Sequence, residues 1–381
     1  MFRYCSKLLK PVAEHHRSSP EACPFLYAMS TGLFSKFARP ETPRKGVITD
    51  RDLDIIEAVL RYRFSPASEL IRLVGGNSNV TLRRLRQLWE WGHINRFAFP
   101  GIRNHSEFIY YLDTTKTLDL LLQHGRAAEI HPDMEEEIRL NREADYAEAV
   151  VRGQHMKLGF LQHSLMISRM HFMLEMSSRD AGNGATLDAW RQGAELRGHK
   201  VDVPEIRSRR IEGSNEYVWE EHDNKMQRLP VEPDALFTLS FADGRQSHFS
   251  YEADRGTMPM ADMLKKLRAY HHFIKRQQKH KDAFGVHPIR AVLIETTDEP
   301  RARKLMDLAG QAAVIGEGKR SALFWFAISP LFTAPFEISG SKPPPSYLNR
   351  PSMVLDKLWA LPDLMLHSVT DAENSIKRPP E

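Results

Sequence analysis

The sequence has few cysteines, no long hydrophobic run and little excess of either charge. Its two cysteines, Cys5 and Cys23, exclude a disulfide framework and a cysteine-rich zinc site, and they suit a reducing compartment. No apolar run approaches the roughly 20 residues of a transmembrane helix, so no membrane partner is expected. A net charge of +4 over 381 residues does not by itself indicate nucleic acid. We therefore expect a cytoplasmic protein whose function is encoded in local patterns.

The length of the chain and its changes of pattern predict several segments. A chain of 381 residues exceeds what one hydrophobic core normally supports. The opening MFRYCSKLLK lacks the continuous apolar region of a secretory signal. The predicted segments are a loose arm at 1–44, a helix-turn-helix module at 46–113, a helical connector at 114–150, an α/β domain at 151–334 and a tail at 335–381.

Three short helices and a hairpin are predicted in the first of these domains. Thr49 has an acid three residues later and caps the first helix, Pro66 begins the second, and Gly75–Gly76 ends it. A third helix follows, and then a hairpin over 93–97 and 108–112. This order is typical of a winged helix-turn-helix.

The third predicted helix carries a high density of arginine on one face. Arginine there supplies donors for phosphates and guanine edges, as a recognition helix in the major groove requires. The residues predicted to bind DNA are Thr81, Arg83, Arg84, Arg86 and Gln87 on the helix, with Arg96 and Arg103 on the hairpin. Double-stranded DNA is the expected partner. A merely solvated helix and a protein-binding module are the alternatives.

The middle of the chain offers one strong helix and one weaker strand. A methionine-rich apolar stripe predicts a helix from His155 to Met176 that packs in the core, with His163 within it. A histidine in such a stripe is more often a packing residue than a catalytic one. Residues 187–196 resemble a strand that ends with Glu195, whereas 197–229 show no clear pattern.

A β-hairpin follows, and its loop fixes its register. A three-residue loop, Ala242-Asp243-Gly244, pairs Phe241 with Arg245 and therefore Asp234 with Glu252. In this register one face carries the apolar side chains Ala235, Phe237, Leu239, Phe241, Phe249 and Tyr251. The opposite face carries Asp234, Thr238, Ser240, His248 and Glu252.

This register predicts a metal site at the open end of the hairpin. The Asp234 and Glu252 carboxylates lie side by side, and Asp254 is one step further on the same face. Carboxylates this close repel unless they share a cation, and Mg²⁺ held by oxygen ligands would lower the pKa of a bound water. On the following helix Lys266 flanks the buried face, whereas Lys265 points away. The alternative is that these strand-end acids are simply solvated.

Further strands at Arg290–Glu295 and Ala322–Ile328, with a helix over Pro300–Val314 between them, complete the predicted pattern. The order of elements indicates an α+β or α/β fold, in which the N-terminal module is followed by an α/β sandwich.

The chain from about 47 to 330 resembles the replication-relaxation family of plasmid and mobile-element proteins. The residues that carry the resemblance are Leu82–Trp89, Pro233-Asp234-Ala235, Glu252–Thr257 and Lys266–Tyr270. The resemblance implies a role in plasmid replication and in relaxation, or nicking, of plasmid DNA, with relaxase or replication proteins as partners. It also implies His163 and Glu195 as site positions.

The second half of the chain separately resembles the PD-(D/E)XK nucleases, which have a restriction-endonuclease-like fold. In that superfamily an Asp and a Glu on neighbouring strands bind Mg²⁺, and a Lys two residues after the Glu orients the water. Asp234 and Glu252 match this pattern, but Asp254 stands where the Lys belongs. Either Lys266 supplies the ammonium group, or the site holds metal without efficient chemistry, or the domain serves only for contacts.

Three functions are consistent with these patterns. The first is a DNA-binding accessory protein of a plasmid or mobile element with a nuclease-like domain. The second is an Mg²⁺-dependent endonuclease or nickase with Asp234, Glu252, Lys266, His163 and Glu195 as catalytic residues. The third is a transcriptional regulator whose second domain mediates assembly. Winged-helix proteins often form homodimers, but no coiled-coil stripe supports one here.

Overall fold

The computed structural model describes most of the chain after residue 44. The described residues are 39, 45–98, 108–126, 133–144, 146, 155–179, 184–210, 212–213, 217–316, 319–329, 353–357, 359–363 and 365–370. The predicted arm at 1–44, apart from residue 39, lies outside the described residues, and so does Arg103 on the predicted hairpin.

Three short helices and a small sheet begin the described chain. They are α1 (Asp50–Tyr62), β1 (Ser65–Pro66), α2 (Ala67–Val74), α3 (Ser78–Glu90), β2 (Asn95–Ala98) and β3 (Phe108–Tyr111). Strand β3 lies between β1 and β2 and pairs antiparallel with both. The Thr49 amide donates to the Asp52 carboxylate at 2.7 Å and so caps α1, and the Asn77 side chain caps α3. The predicted helices and hairpin are therefore confirmed.

Three further helices lead to the large sheet. They are α4 (Lys116–Gln123), α5 (Met134–Ala144) and α6 (His155–Ser178). The first two lie in the predicted connector. The third confirms the methionine-rich helix, and its inner face contributes Met166, Met170 and Met173 to the core.

A mixed sheet forms the centre of the second half. Its described strands are β4 (Ala185–Arg191), β7 (Ala235–Phe241), β8 (Gln246–Ala253), β9 (Ile289–Thr296), β10 (Phe324–Ile328), β11 (Trp359–Ala360) and β12 (Leu366–His367). They lie in the order β12-β11-β10-β9-β8-β7-β4. The pairs β8–β9 and β9–β10 are parallel, and the other pairs are antiparallel.

The hairpin of β7 and β8 has the predicted register. Ala235 lies opposite Tyr251, and the Phe241 amide donates to the Arg245 carbonyl at 2.9 Å. Gly244 closes the loop with a φ of +82°, a left-handed conformation that a residue with a side chain rarely adopts. The loop length therefore fixes Asp234 beside Glu252, as predicted.

Helices cover both faces of this sheet. They include α7 (Met260–His271), which continues as a π-helical turn (His272–Arg276), α8 (His280–Phe284), α9 (Glu299–Ala309) and α10 (Ala312–Ile315). Helices α7, α9 and α10 pack on the face that contains Leu236 and Val292. Helix α6 packs on the opposite face, which contains Phe237 and Leu293. The fold is thus a mixed α+β structure, as predicted. None of the described helices has the length and hydropathy needed to cross a bilayer.

A long two-stranded ribbon occupies the segment in which we predicted no structure. It is formed by β5 (Lys200–Arg210) and β6 (Tyr217–Pro230). Its base is buried at Val201 and Val203, but the register shifts between Pro204 and Ile206. This bulge interrupts the period-two alternation from which a strand is predicted, and the arginines and acids beyond it look like a loop.

The predicted tail also contributes to the sheet. A short helix, α11 (Met353–Asp356), precedes β11 and β12, which extend the sheet beyond β10. Trp359 is fully buried, and Lys357 donates to the Glu295 carboxylate. Strands of two residues are too short to leave a periodic signal, so the sequence predicted only a tail here.

The first and second halves of the described chain share one core. His171 of α6 stacks on Tyr62 of α1, with ring centroids 4.3 Å apart, and on Trp190 of β4, with centroids 4.4 Å apart. Residues from Arg44 to Glu381 accordingly form one compact unit. Helix α6 is therefore the element that joins the N-terminal helices to the sheet.

The buried His171 ring makes stability sensitive to acid. Burial holds the pKa of His171 well below its ordinary value. Below about pH 6.5 the unfolded chain binds a proton that the folded chain does not, so stability falls by up to about 1.4 kcal/mol per pH unit. His171→Phe keeps a stacked ring and removes this titration. We expect wild type to lose stability relative to this variant between pH 7 and pH 5 in urea unfolding. The exposed His124→Gln is the control, and parallel pH curves for wild type and His171→Phe would contradict the prediction.

Candidate functional site

A cavity of about 320 Å³ lies at the open end of the β7–β8 hairpin. Four of the five predicted catalytic residues line it, namely His163, Asp234, Glu252 and Lys266. They come from α6, the residue before β7, the end of β8, and α7. The fold therefore brings together four side chains that are up to 103 positions apart in the sequence, from His163 to Lys266.

Asp234 forms an ion pair with His163 inside the cavity. The two side chains meet at 3.1 Å between Nε2 and Oδ2, and the Ala253 amide donates to the same oxygen at 2.8 Å. Burial alone would raise the pKa of Asp234, but the charge of His163, its hydrogen bond and the charge of Lys266 lower it to about 2. Burial acts to lower the pKa of His163, yet Asp234 raises it above its ordinary value. The two shifts are in the directions that favour the ionised pair.

Glu252 is held by two side chains of α7. Lys266 donates to one carboxylate oxygen and Tyr270, one helical turn later, donates to the other. Burial raises the pKa of Glu252 to about 7, against the lowering effect of Lys266 and with a smaller contribution from the charge of Asp234. Lys265 instead pairs with Asp262 on the surface at 3.0 Å, so Lys266 is the one of the two lysines that reaches the carboxylates.

Asp254 lines the cavity but its carboxylate is directed to another partner. Arg301 of α9 donates to both of its oxygens, at 2.9 and 3.1 Å, and the Thr296 hydroxyl donates at 2.7 Å. Asp254 is therefore a structural residue that fixes the turn after β8. Its placement as a third metal ligand is not supported by this geometry.

Glu195 lies away from the cavity. Strand β4 ends at Arg191, four residues earlier than predicted, and Glu195 falls in a short 3₁₀ helix (Ala194–Leu196). Its carboxylate accepts from Arg191 at 3.0 Å. The expected position of Glu195 at the end of a strand is wrong, because the glycine at 193 turns the chain with a φ of +87°.

The carboxylates of the cavity suit a hard cation only in part. Among the described residues, no group of three or more His, Cys, Asp or Glu side chains is spaced to hold a metal ion. Mg²⁺, however, retains several waters and is commonly held by one or two carboxylates together with substrate phosphate. The neighbouring carboxylates of Asp234 and Glu252 fit that donor set, whereas Asp254 does not.

Several residues in or beside the cavity were not predicted. Tyr270 donates to Glu252 from behind it, and its spacing of four from Lys266 was a usable signal. Phe160 and Arg255 line the cavity beside the charged pairs. Nothing in the local pattern around these two residues distinguishes them from packing and turn residues.

A second candidate surface lies on α3. Arg83 is exposed, and Arg86 has a side chain that is 60% exposed and pairs with Glu90 at 2.9 Å. Ser78, Asn79 and Leu82 are exposed beside them. Leu85 and Leu88 are fully buried on the opposite side. The helix therefore presents a polar, arginine-bearing face to solvent.

Two predicted DNA contacts on this helix serve the fold instead. Thr81 is fully buried and accepts from Arg51 at 2.6 Å, so its expected place on the outer face is wrong. Arg84 forms a bidentate pair with the buried Asp52, with one distance of 2.6 Å, and also donates to Gln87 at 2.9 Å. The reason is the helical phase, since the apolar Leu82 lies on the outer face and is 43% exposed, whereas Thr81 faces the core.

Arg96 is also buried in the N-terminal module. Its guanidinium lies 3.8 Å from the centre of the Trp89 ring and 4.1 Å from that of Phe108. Such cation–π stacking stabilises the junction between α3 and the hairpin. The predicted contact of Arg96 with DNA is therefore not supported, and Arg103 lies outside the described residues.

A family model for replication-relaxation proteins matches residues 59–288, which is more than half of the chain. The chain belongs to the replication-relaxation family. The match includes all of α3 as well as His163, Asp234, Glu252 and Lys266, so both candidate sites lie within the family region. Membership of the replication-relaxation family points to a role in the replication of plasmids or mobile elements. No match was found among curated proteins or among solved structures.

The two adjacent arginines of α3 should respond differently to removal. Arg84→Ala leaves the buried Asp52 carboxylate without its cation, so we expect a loss of about 3 kcal/mol in the free energy of unfolding. Arg83→Ala removes an exposed side chain and should change it by less than about 0.5 kcal/mol. Urea unfolding of both variants measures this difference. Equal stability of the two variants would contradict the structural role of Arg84.

Proposed function

We propose that this replication-relaxation protein binds double-stranded DNA through α1–α3 and the β2–β3 hairpin, which together act as a winged helix. The observation that carries the proposal is the exposed face of α3 with Arg83 and Arg86. The order of three helices and a hairpin, with β1 as the third strand, is the order that a winged helix requires.

The surface around α3 favours duplex DNA over a protein partner. The exposed start of the helix carries Ser78 and Asn79, which can donate to phosphates, and Arg83 lies one helical turn further. Arginine at such positions donates to phosphates and to guanine in the major groove. The buried side of α3 is fixed by α1 through Arg84 and Asp52, so the helix is held rigidly for docking.

A second candidate function is Mg²⁺-dependent cleavage of one DNA strand by a nuclease-like second domain. The observation that favours it is the convergence of two ion pairs, His163–Asp234 and Lys266–Glu252, in one cavity. Perturbed ionisable groups that meet in a cavity are typical of active sites. This arrangement of Asp, Glu and Lys is similar to that of the PD-(D/E)XK nucleases, with the Lys supplied by α7.

Each side chain of the cavity has a role in such a reaction. Asp234 and Glu252 would hold Mg²⁺, which supplies a water of lowered pKa and polarises the phosphate. The Lys266 ammonium would neutralise charge that develops on the phosphate oxygens. As water adds to phosphorus and the P–O bond breaks, His163 would donate its proton to the leaving oxygen. Asp234 holds the imidazole in place for that transfer.

Other expectations from the sequence remain predictions. They include relaxase or replication proteins as partners, a second copy of the chain as a partner, and a cytoplasmic location. A transcriptional regulator would bind DNA through the same winged helix but would not cleave it. The two functions therefore differ only in whether the cavity has catalytic activity.

DNA binding is tested by the exposed arginines. We expect Arg83→Ala/Arg86→Ala to weaken binding to duplex DNA and to reduce the slope of log K against log salt by up to about 2, since each phosphate contact contributes about 0.9. Arg139→Ala/Arg303→Ala is the matched control, because these arginines are also exposed and paired with acids. Affinity and slope are measured by fluorescence anisotropy. Equal effects of the two double variants would contradict the proposal.

Cleavage is tested on supercoiled plasmid with Mg²⁺. We expect relaxed circles with wild type, and a loss of about 10²-fold or more in rate for Asp234→Asn and for Lys266→Met. Lys265→Met is the matched control, because this lysine lies one position away and pairs on the surface. EDTA should abolish the product. A relaxed product that persists in Asp234→Asn, or the absence of that product with wild type, would exclude the proposed cleavage. The proposal of DNA binding through the winged helix would be unaffected.

A further inference from the structure

Phe160 is an aromatic side chain that the fold leaves open to solvent. Among the exposed large hydrophobic side chains of the described residues it is the aromatic one, with 50% of its surface exposed. Its ring is supported by Tyr146, which lies parallel at 6.3 Å, and by Phe64, which lies edge-on at 6.1 Å. The ring is therefore held in a fixed orientation while part of it faces solvent.

The same ring lies where two cavities meet. Phe160, His163 and Asp234 line both the cavity of about 320 Å³ and a second cavity of about 310 Å³. Each volume is at the lower end of the range of ligand pockets, about 300–1,000 Å³. A ligand that fills either cavity therefore contacts the Phe160 ring.

A guanidinium is fixed directly beside this ring. The Arg255 side chain lies against Gly159, where an added Cβ would come within 2.2 Å of the Arg255 Nη1 atom. Arg255 also lines the first cavity. A glycine at 159 thus makes room for the cation next to Phe160, on the same turn of α6.

The two cavities differ in charge, and this difference favours one orientation of a bound ligand. The first cavity has three cationic side chains, including Arg255, and three carboxylates. The second is lined by five acids, which outnumber its two arginines, Arg63 and Arg197. A phosphate is therefore favoured near Arg255 and disfavoured in the second cavity, where an uncharged ring can lie.

We infer that this site receives one unpaired nucleotide of a DNA strand, with its base stacked on Phe160 and its phosphate at Arg255. Exposed aromatic rings beside cations are the usual means of holding single strands, because every base has a face that stacks. A base inside a duplex is already stacked on both sides and cannot reach the ring. The inference rests on the proposed action on DNA and specifies the strand form that the cavity accepts.

A single-stranded oligonucleotide with a central 2-aminopurine tests the inference. In EDTA, which prevents cleavage, we expect wild type to bind it and to quench its fluorescence by stacking. Phe160→Ala and Phe160→Leu should both abolish quenching and weaken binding roughly 5- to 100-fold, and Phe160→Tyr should restore both. Phe160→Leu keeps apolar bulk against Tyr146 and Phe64, so its loss of quenching cannot be attributed to misfolding. Leu122→Ala, which truncates an equally exposed apolar side chain, is the control.

Gly159→Ala tests the position of Arg255 separately. Alanine favours a helix over glycine, so the variant should be at least as stable as wild type, while its Cβ displaces the guanidinium. We expect weaker oligonucleotide binding, matched by Arg255→Ala. Quenching that is unchanged in Phe160→Leu would overturn the inference. Duplex binding through α3 is measured on the same proteins and should be unaffected by Phe160→Leu, so failure here is distinct from failure of the winged-helix proposal.

Discussion

Two buried carboxylates that lie side by side impose the main constraint on this structure. The hairpin register places Asp234 next to Glu252, and in a poorly solvated cavity two such charges repel strongly. The chain compensates with one cation from each side, His163 from α6 and Lys266 from α7. Because α6 and α7 pack on opposite faces of the sheet, the charge balance requires all three layers to be in place. The site therefore exists only in the folded domain.

Helix α6 extends this constraint to the N-terminal module. Near its start it carries Phe160 and His163 to the cavity, and two turns later His171 stacks between Tyr62 and Trp190. The same helix thus touches the site, the sheet and the helices proposed to bind DNA. A duplex held on α3 would be fixed relative to the cavity by the packing of α6 on both parts of the described chain.

The sequence predicted what local rules determine and missed what distant partners determine. Loop length sets the β7–β8 register, and helical phase separates Lys266 from Lys265, so both were predictable. Asp254 was misassigned because its partner, Arg301, is 47 positions away and leaves no local signal. The β5–β6 ribbon was missed because a bulge breaks its alternation. On α3, Thr81 was predicted on the outer face, but the apolar Leu82 is exposed there and Thr81 is buried, because the position of the buried face depends on packing against α1.

Fewer arginines of the N-terminal module are exposed to solvent than its sequence suggests. Arg84 neutralises Asp52 and Arg96 stacks on Trp89, so the described module offers Arg83 and Arg86 as its exposed predicted contacts. Two phosphate contacts correspond to a salt slope near about −2, whereas strong binders make about 6–10. One module of this size would therefore bind a duplex weakly. If the proposed binding is correct, affinity sufficient for function would require further contacts, and the cavity lined by Phe160 and Arg255 would add them once a strand has opened.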